Sequence, residues 1–313
     1  MKIKTNLWQK ISLWLGIAIA LGIIFKLLTP KSTTNPNPQL TEVGGTQTQV
    51  SHFSYQGQEL NIPKTLSLAT AQLINTNELQ LTLTQQYDLS TNPDAPNLWM
   101  GEKYSLYFDN QQAIYGLSLN QPQPVSSQLD SAKLINNAQQ LLNQLLPQTT
   151  LVVDQSKTRY LSGQYQQKEV SENLAEYIEL SFFQKFQDFP TYNQASLRPS
   201  ALVLIDAHGQ LTKLELSTQI FNFFPTNIRD TIALDQAQTN IEKGNASLLD
   251  LETNDVQPID RSKFLSGQFY QAQIEYRVDK QLVVEPFYRF SGKLITTNNQ
   301  TIQAQIITPA TDY

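Results

Sequence analysis

The apolar positions of this chain fall into three patterns that succeed one another. Residues 11–28 read ISLWLGIAIALGIIFKLL, a run broken only by Lys26 and close to the roughly 20 residues that a helix needs to cross hydrocarbon. From residue 29 to residue 51 Thr, Asn, Pro and Gly dominate (TPKSTTNPNPQLTEVGGTQTQVS), which predicts a flexible tether. Beyond it, helical and strand periods alternate.

Two related segments organise that last part, RYLSGQY at 159–165 and KFLSGQF at 263–269, and each follows a helical pattern. Upstream of the first, Leu134, Ala138, Leu141, Leu142 and Leu145 share one helix face, with Ser127 and Asp130 as a capping box and Pro147 as the stop. Upstream of the second, Leu234, Ala237 and Ile241 share a face, and Gly244 suits the left-handed position that ends a helix. Alternating apolar and polar residues follow in each case: AEYIELSFFQKF from Ala175, then FYQAQIEYRV from Phe269, LVVEPFYRFSGKL from Leu282 and TIQAQIIT from Thr301. Such alternation predicts sheets with one covered and one wet face.

ALVLIDAHGQLTKLELS from Ala201 predicts a hairpin turning at Asp206 to Gly209. LQLTLTQQYDL from Leu79 and KYSLYFDNQQAIYGLSL from Lys103 extend the meander, with a turn at Asp109 and Asn110. The expected fold class is α+β: an N-terminal transmembrane helix, then repeated units of one helix and an antiparallel sheet. The expected divisions are a cytoplasmic N-terminus at 1–10, the membrane helix at 11–28, the tether at 29–51, a β-rich part at 52–125, and helix-plus-sheet units at 126–230 and 231–313.

Charge orients this picture. Lys2, Lys4 and Lys10 precede the apolar run, against Lys26 and Lys31 after it, so the positive-inside bias puts the N-terminus in the cytoplasm and the bulk of the chain outside, in the cell membrane as a single-pass protein. A cleaved signal peptide ending near Ala18 and Ala20 is the competing reading, but Leu21, Ile23, Ile24 and Phe25 continue the run past that site. The net charge of -5, with no basic stripe after the tether, argues against nucleic acid as a partner.

The absence of cysteine removes disulfides, thiolate nucleophiles and Cys-type metal sites at once. Of the two histidines, His208 sits in a turn sequence and His52 beside the tether, and neither has a nucleophile motif near it. The carboxylate pairs Glu176 with Glu179 and Asp250 with Glu252 fit solvated strand faces better than glycosidase acids. No catalytic, cofactor-binding or metal-ligating set is expected. Phe221, Phe223 and Phe224, with Phe189 and Tyr192, form the candidate binding surface, since FNFFP lies between predicted elements and can leave rings exposed.

FSYQGQELNIPKTL after the tether, FFPTNIRDTIALDQAQTNIEKGNA before the last sheet, and VVEPFYRFSGKL followed by AQIITPA at the end, together with the N-terminal apolar run, resemble the membrane-anchored YycH/YycI-type proteins. The resemblance implies a non-enzymatic extracytoplasmic domain that contacts a sensor protein or another envelope protein, and it supplies no catalytic residues. The expected function is therefore a membrane-tethered binding or regulatory module, held in lipid through residues 11–28. The competing classes are a carboxylate-dependent envelope glycan hydrolase and a structural component of a surface or secretion assembly.

Overall fold

In the computed structural model, the described residues are 40, 43–122, 129–163, 168–252 and 259–312. Among them no helix is long and apolar enough to cross a membrane; residues 11–28, where the sequence predicts one, and Ser127 lie outside them. The chain begins with β1 (Thr46–Val50), β2 (Phe53–Tyr55), β3 (Thr65–Leu73) and helix α1 (Thr76–Gln86). A meander follows, of β4 (Ser90–Asn92), β5 (Ala95–Met100), β6 (Tyr104–Asp109) and β7 (Ile114–Leu119). Helix α2 (Ser131–Leu145) leads to β8 (Leu151–Val153), a short turn of helix at Gln155–Lys157, β9 (Arg159–Ser162) and β10 (Lys168–Glu169). Then come β11 (Tyr177–Phe186), β12 (Phe189–Asn193), β13 (Ala201–Asp206), β14 (Leu211–Ser217) and β15 (Phe221–Asp230). Helix α3 (Leu234–Glu242) precedes β16 (Ala246–Glu252), β17 (Lys263–Val278), β18 (Val283–Thr296) and β19 (Thr301–Pro309).

Strands dominate, so the α+β expectation holds in a coarser form, as a mostly β fold with a few helices laid on sheet faces. One antiparallel sheet runs β4-β5-β6-β7-β14-β13-β11, with β9 and β8 taking the far edge of β11. In the other region β16, β19, β18 and β17 pair antiparallel in that order. Strand β1 closes this set into a ring, antiparallel to β16 (Thr46 opposite Leu248) and parallel to β17 (Val50 opposite Phe264). Strand β12 leaves β11 by a hairpin and runs parallel to the end of β17, with Thr191 opposite Tyr276, which joins the two sheets. The two LSGQ segments hold matching places: β9-β11-β13 and β17-β18-β19 are antiparallel triplets that each follow a helix.

Burial explains why the helices form. Helix α2 carries three asparagines, each costing up to about 0.7 kcal/mol of propensity relative to alanine. Its buried Leu134, Leu142 and Leu145 contribute about 1.5–3 kcal/mol each against Ile178, Leu180 and Phe182, and that term wins. Helix α3 buries Ala237 and Ile241 into the curled sheet beside Phe264, Tyr288 and Phe290, and ends at Gly244, whose φ of +83° meets the expectation for that position. Tyr288 Oη donates to Ile232 O at 2.7 Å inside this core.

Four sequence expectations are corrected. LQLTLTQQ is a helix rather than a strand: Asn75 Oδ1 accepts from the Asn77 and Glu78 amides, and Leu79 and Leu83, one turn apart, are buried while Leu81 is 54% exposed. The tether does not extend to residue 51. Leu40 and Val43 pack on Phe287 and Ile307, and β1 is a sheet strand, because this end of the tether carries apolar residues that find a core. The α2 N-cap is Asp130, which accepts from Lys133 N at 3.1 Å. Finally, the alternation of β17 does not leave its polar face wet.

Candidate functional site

The polar face of β17 near its end consists of Gln273, Glu275 and Arg277, interleaved with Ile274, Tyr276 and Val278 on the apolar side. Glu275 and Arg277 are nevertheless fully buried, because the segment after β12 folds over them. Arg277 Nε donates to Glu275 Oε1 at 2.7 Å, and Nη2 donates to the same oxygen. Arg277 Nη1 donates to Gln194 O at 2.7 Å and Ser196 O at 2.8 Å, which ties the covering segment down.

Arg289 stands opposite Gln273 on β18 and reaches the other oxygen of the same carboxylate, Nε to Glu275 Oε2 at 3.0 Å. Its Nη1 donates to Gln305 Oε1 at 3.3 Å. The Tyr192 ring serves both guanidinium groups, with Arg277 Cζ 4.7 Å and Arg289 Cζ 5.3 Å from its centroid. Glu275 thus receives two guanidinium groups, and a second buried acid, Glu285, stands opposite Arg277 in the β17–β18 register. Burial pulls the Arg277 guanidinium down from its ordinary value, against the lift from Glu275. Burial pushes the Tyr192 phenol up.

Arg289 faces a groove of 590 Å³ between β8 and its following turn on one wall and the outer face of β17, β18 and β19 on the other. Lys157, Lys185, Tyr192, Arg289, Gln271 and Gln305 line it. Lys157 Nζ lies 4.7 Å from the Phe183 ring centroid, and Phe183 packs on Tyr192 at 5.0 Å. Among the described residues neither Lys157 nor Lys185 has an ion-pair partner. Partial burial, and after it the charge of Arg289, lower the Lys157 ammonium from its ordinary value. The one acid on the lining, Asp154, has its Oδ1 occupied by Ser156 N at 3.0 Å and Ser156 Oγ at 2.6 Å. The arrangement suits an anion laid over aromatic rings and amides.

The residues singled out in the sequence divide among three places. Tyr192 belongs to the cationic groove. Phe221, Phe223 and Phe224 line a second groove of 390 Å³, which shares Lys185 with the first. There Phe221 is buried, its N–H and C=O both held by the Gln184 amide at 3.0 and 2.8 Å, while Phe224 is half exposed. Phe189 packs instead in an apolar cluster near Tyr276, with 6.2 Å between ring centroids. His208 N donates to Asp206 Oδ1 at 3.0 Å in the β13–β14 turn, and His52 is exposed. Glu176 accepts from Gly163 N at 2.6 Å and Glu179 pairs with Arg159 at 2.9 Å; Asp250 is exposed.

Sequence reasoning missed Lys157, Lys185, Glu275, Arg277 and Arg289. A signal for the arginines was present: the dipeptide Tyr-Arg occurs on β17 (Tyr276, Arg277) and again on its partner β18 (Tyr288, Arg289).

No protein-family model matches this chain, and no curated protein matches it. Solved structures similar to it include the Bacillus megaterium YpeB C-terminal domain, at 11% identity and a TM-score of 0.32 over 75% of this chain and 99% of that one. They also include YycH from Bacillus subtilis, at 13% identity and a TM-score of 0.38 over 77% of this chain and 52% of that one. The chain therefore spans about half the length of the YycH structure, which bears the name of the family its sequence resembles.

Proposed function

We propose that this chain is a membrane-tethered, extracytoplasmic binding module whose cationic groove takes an anionic segment of a partner protein. The observation that carries the reading is the cationic lining of the groove. Arg289, Lys157 and Lys185 line it against one acid, Asp154, and among the described residues neither lysine has an ion-pair partner, in a chain of net charge -5. A buried ion network is costly to assemble and holds Arg289 and Tyr192 in place before any ligand arrives. The apolar run at residues 11–28 and its lysine-biased flank support the tether and the orientation. Confinement to a membrane surface raises the effective concentration of a weakly bound partner.

A glycan hydrolase would need two carboxyl groups facing the groove, whereas Asp154 is held by Ser156 and Glu275 lies buried between two arginines. An assembly component would need a strand edge open to addition. Among the described residues the outer edge of β15 carries Pro225 and a register break between Pro225 and Ile228, both of which obstruct added strands, and the edge strands β4 and β10 are only three and two residues long.

A photo-crosslinking residue placed at Ser156, beside the groove, should capture an acidic segment of an envelope protein in native membranes. The same residue at Leu174, exposed and away from the grooves, should not. Identical adducts from both positions, or capture unchanged by Lys157→Glu with Lys185→Glu, would count against the reading.

A further inference from the structure

The cationic groove is the first of three that adjoin in series through shared lining residues. The 390 Å³ groove shares Lys185 with it, and a third groove of 410 Å³ shares Gln148, Thr149 and Asn222 with the 390 Å³ groove. The character of the lining changes along this course. Lysine and arginine stand at one end, Phe223 and Phe224 in the middle, and Leu73, Ile74, Leu79 and Leu145 at the other end. Leu73 and Phe224 are 47% and 50% exposed, large apolar surface left in water on two adjoining grooves. Between those two grooves lies Asn222, which lines both and whose Oδ1 is buried with no hydrogen-bond partner among the described residues. Rotation of that amide would offer the oxygen to a donor in the grooves, and an extended backbone carries such a donor at every non-proline residue.

We infer that the three grooves together bind an extended polypeptide segment made of two blocks. An acidic block would lie over Lys157 and Lys185, and an apolar block against Phe224 and Leu73. The inference rests on the anionic-binding reading above and narrows its ligand. A uniform polyanion, such as a phosphate polymer, satisfies the lysine end and has nothing to place against Leu73 and Phe224. An apolar helix would leave the lysines and Asn222 unmatched. A two-block extended chain satisfies all three, with main-chain N–H groups for Asn222 and side chains for the ends.

The test uses the full-length chain in phosphatidylcholine nanodiscs, with empty nanodiscs as the control, and fluorescein-labelled peptides read by anisotropy. One peptide carries a leucine- and phenylalanine-rich block joined to a glutamate-rich block, and a second has the same composition with the two kinds of residue alternating. The block peptide should bind about tenfold tighter, the factor expected for seating one large apolar side chain. Leu73→Ser with Phe224→Ser should abolish that advantage, and because both side chains are about half exposed the variant should keep the wild-type melting temperature. Lys157→Glu with Lys185→Glu should weaken both peptides about tenfold or more.

Equal affinity for the two peptides, or no loss in the Leu73 and Phe224 variant, overturns this inference and leaves the anionic reading standing. Binding indifferent to the lysine reversal overturns both. Inorganic polyphosphate that binds the wild type as tightly as the block peptide overturns the polypeptide assignment in favour of a phosphate polymer.

Discussion

Arg277→Met removes a guanidinium that makes four hydrogen bonds in a site with no access to water. Two consequences add. Glu275 keeps its charge but retains only Arg289 as a cationic partner, and a buried charge that loses its partner costs about 3–5 kcal/mol. The Gln194 and Ser196 carbonyls lose their shared donor, each worth about 1–3 kcal/mol if nothing replaces it, although the segment carrying them can lift toward water. A net loss of about 5 kcal/mol follows, against a total stability on the order of 5–15 kcal/mol. At about 2–4 °C per kcal/mol for a fold of this size, the melting temperature of the full-length chain should fall by about 10–20 °C. The double variant Glu275→Leu with Arg277→Met also discards the carboxylate that lost one of its two partners and should recover about 2–3 kcal/mol of the loss, since contacting pairs are not additive. Intrinsic fluorescence melts in one nonionic detergent give all three values. A single variant that melts with the wild type would refute the reasoning, and so would a double variant less stable than the single.

Further outcomes follow from the same geometry. Because burial lowers the Lys157 pKa, affinity for an acidic peptide should begin to decline at a lower pH than it would for an exposed lysine, and Lys157→Met should remove that early decline. The stability sign is the reverse: the unfolded chain holds this proton to higher pH, so stability should rise with pH up to the ordinary lysine value of 10.5, an increment that Lys157→Met removes and that melts across pH would register. In α1, Leu83→Ala should cost about 2–5 kcal/mol and Leu81→Ala almost nothing by denaturant titration; equal costs would favour the strand reading of that segment. Asn75→Ala should cost about 1 kcal/mol through the lost cap, and no measurable loss would remove the reason given for the helix.

How far the fold was legible depends on where each segment's partners lie. The α2 and α3 stripes, the β13–β14 hairpin and the strands of the last sheet follow from local periodicity, and the paired LSGQ segments do occupy matching strands. In the α1 segment the leucines satisfy both periods, at residues 79, 81 and 83 for a strand and at 79 and 83 for a helix, and a short cap sequence decided between them. Strand β1 was hidden because its partners are 200 residues away in sequence and its own composition matches the tether before it. The site was less legible still. Alternation placed Glu275 and Arg277 on the wet face of β17, and only the segment after β12, folded across from the other sheet, makes that face an interior. Tyr192 was singled out as an aromatic surface residue; its part beside two guanidinium groups depends on contacts across three strands. Lys157 and Lys185 resemble ordinary surface lysines in sequence, and that neither has an ion-pair partner among the described residues is a property of the assembled groove.

The most direct measurement of the central claim is the equilibrium affinity of the full-length chain for hexaglutamate, taken at low and at physiological salt, in the wild type and in Lys157→Glu with Lys185→Glu. The account predicts binding that weakens as salt rises and is lost on charge reversal, with the melting temperature unchanged. A wild type that fails to bind at low salt, or a charge-reversed chain that binds as well as the wild type, would contradict it.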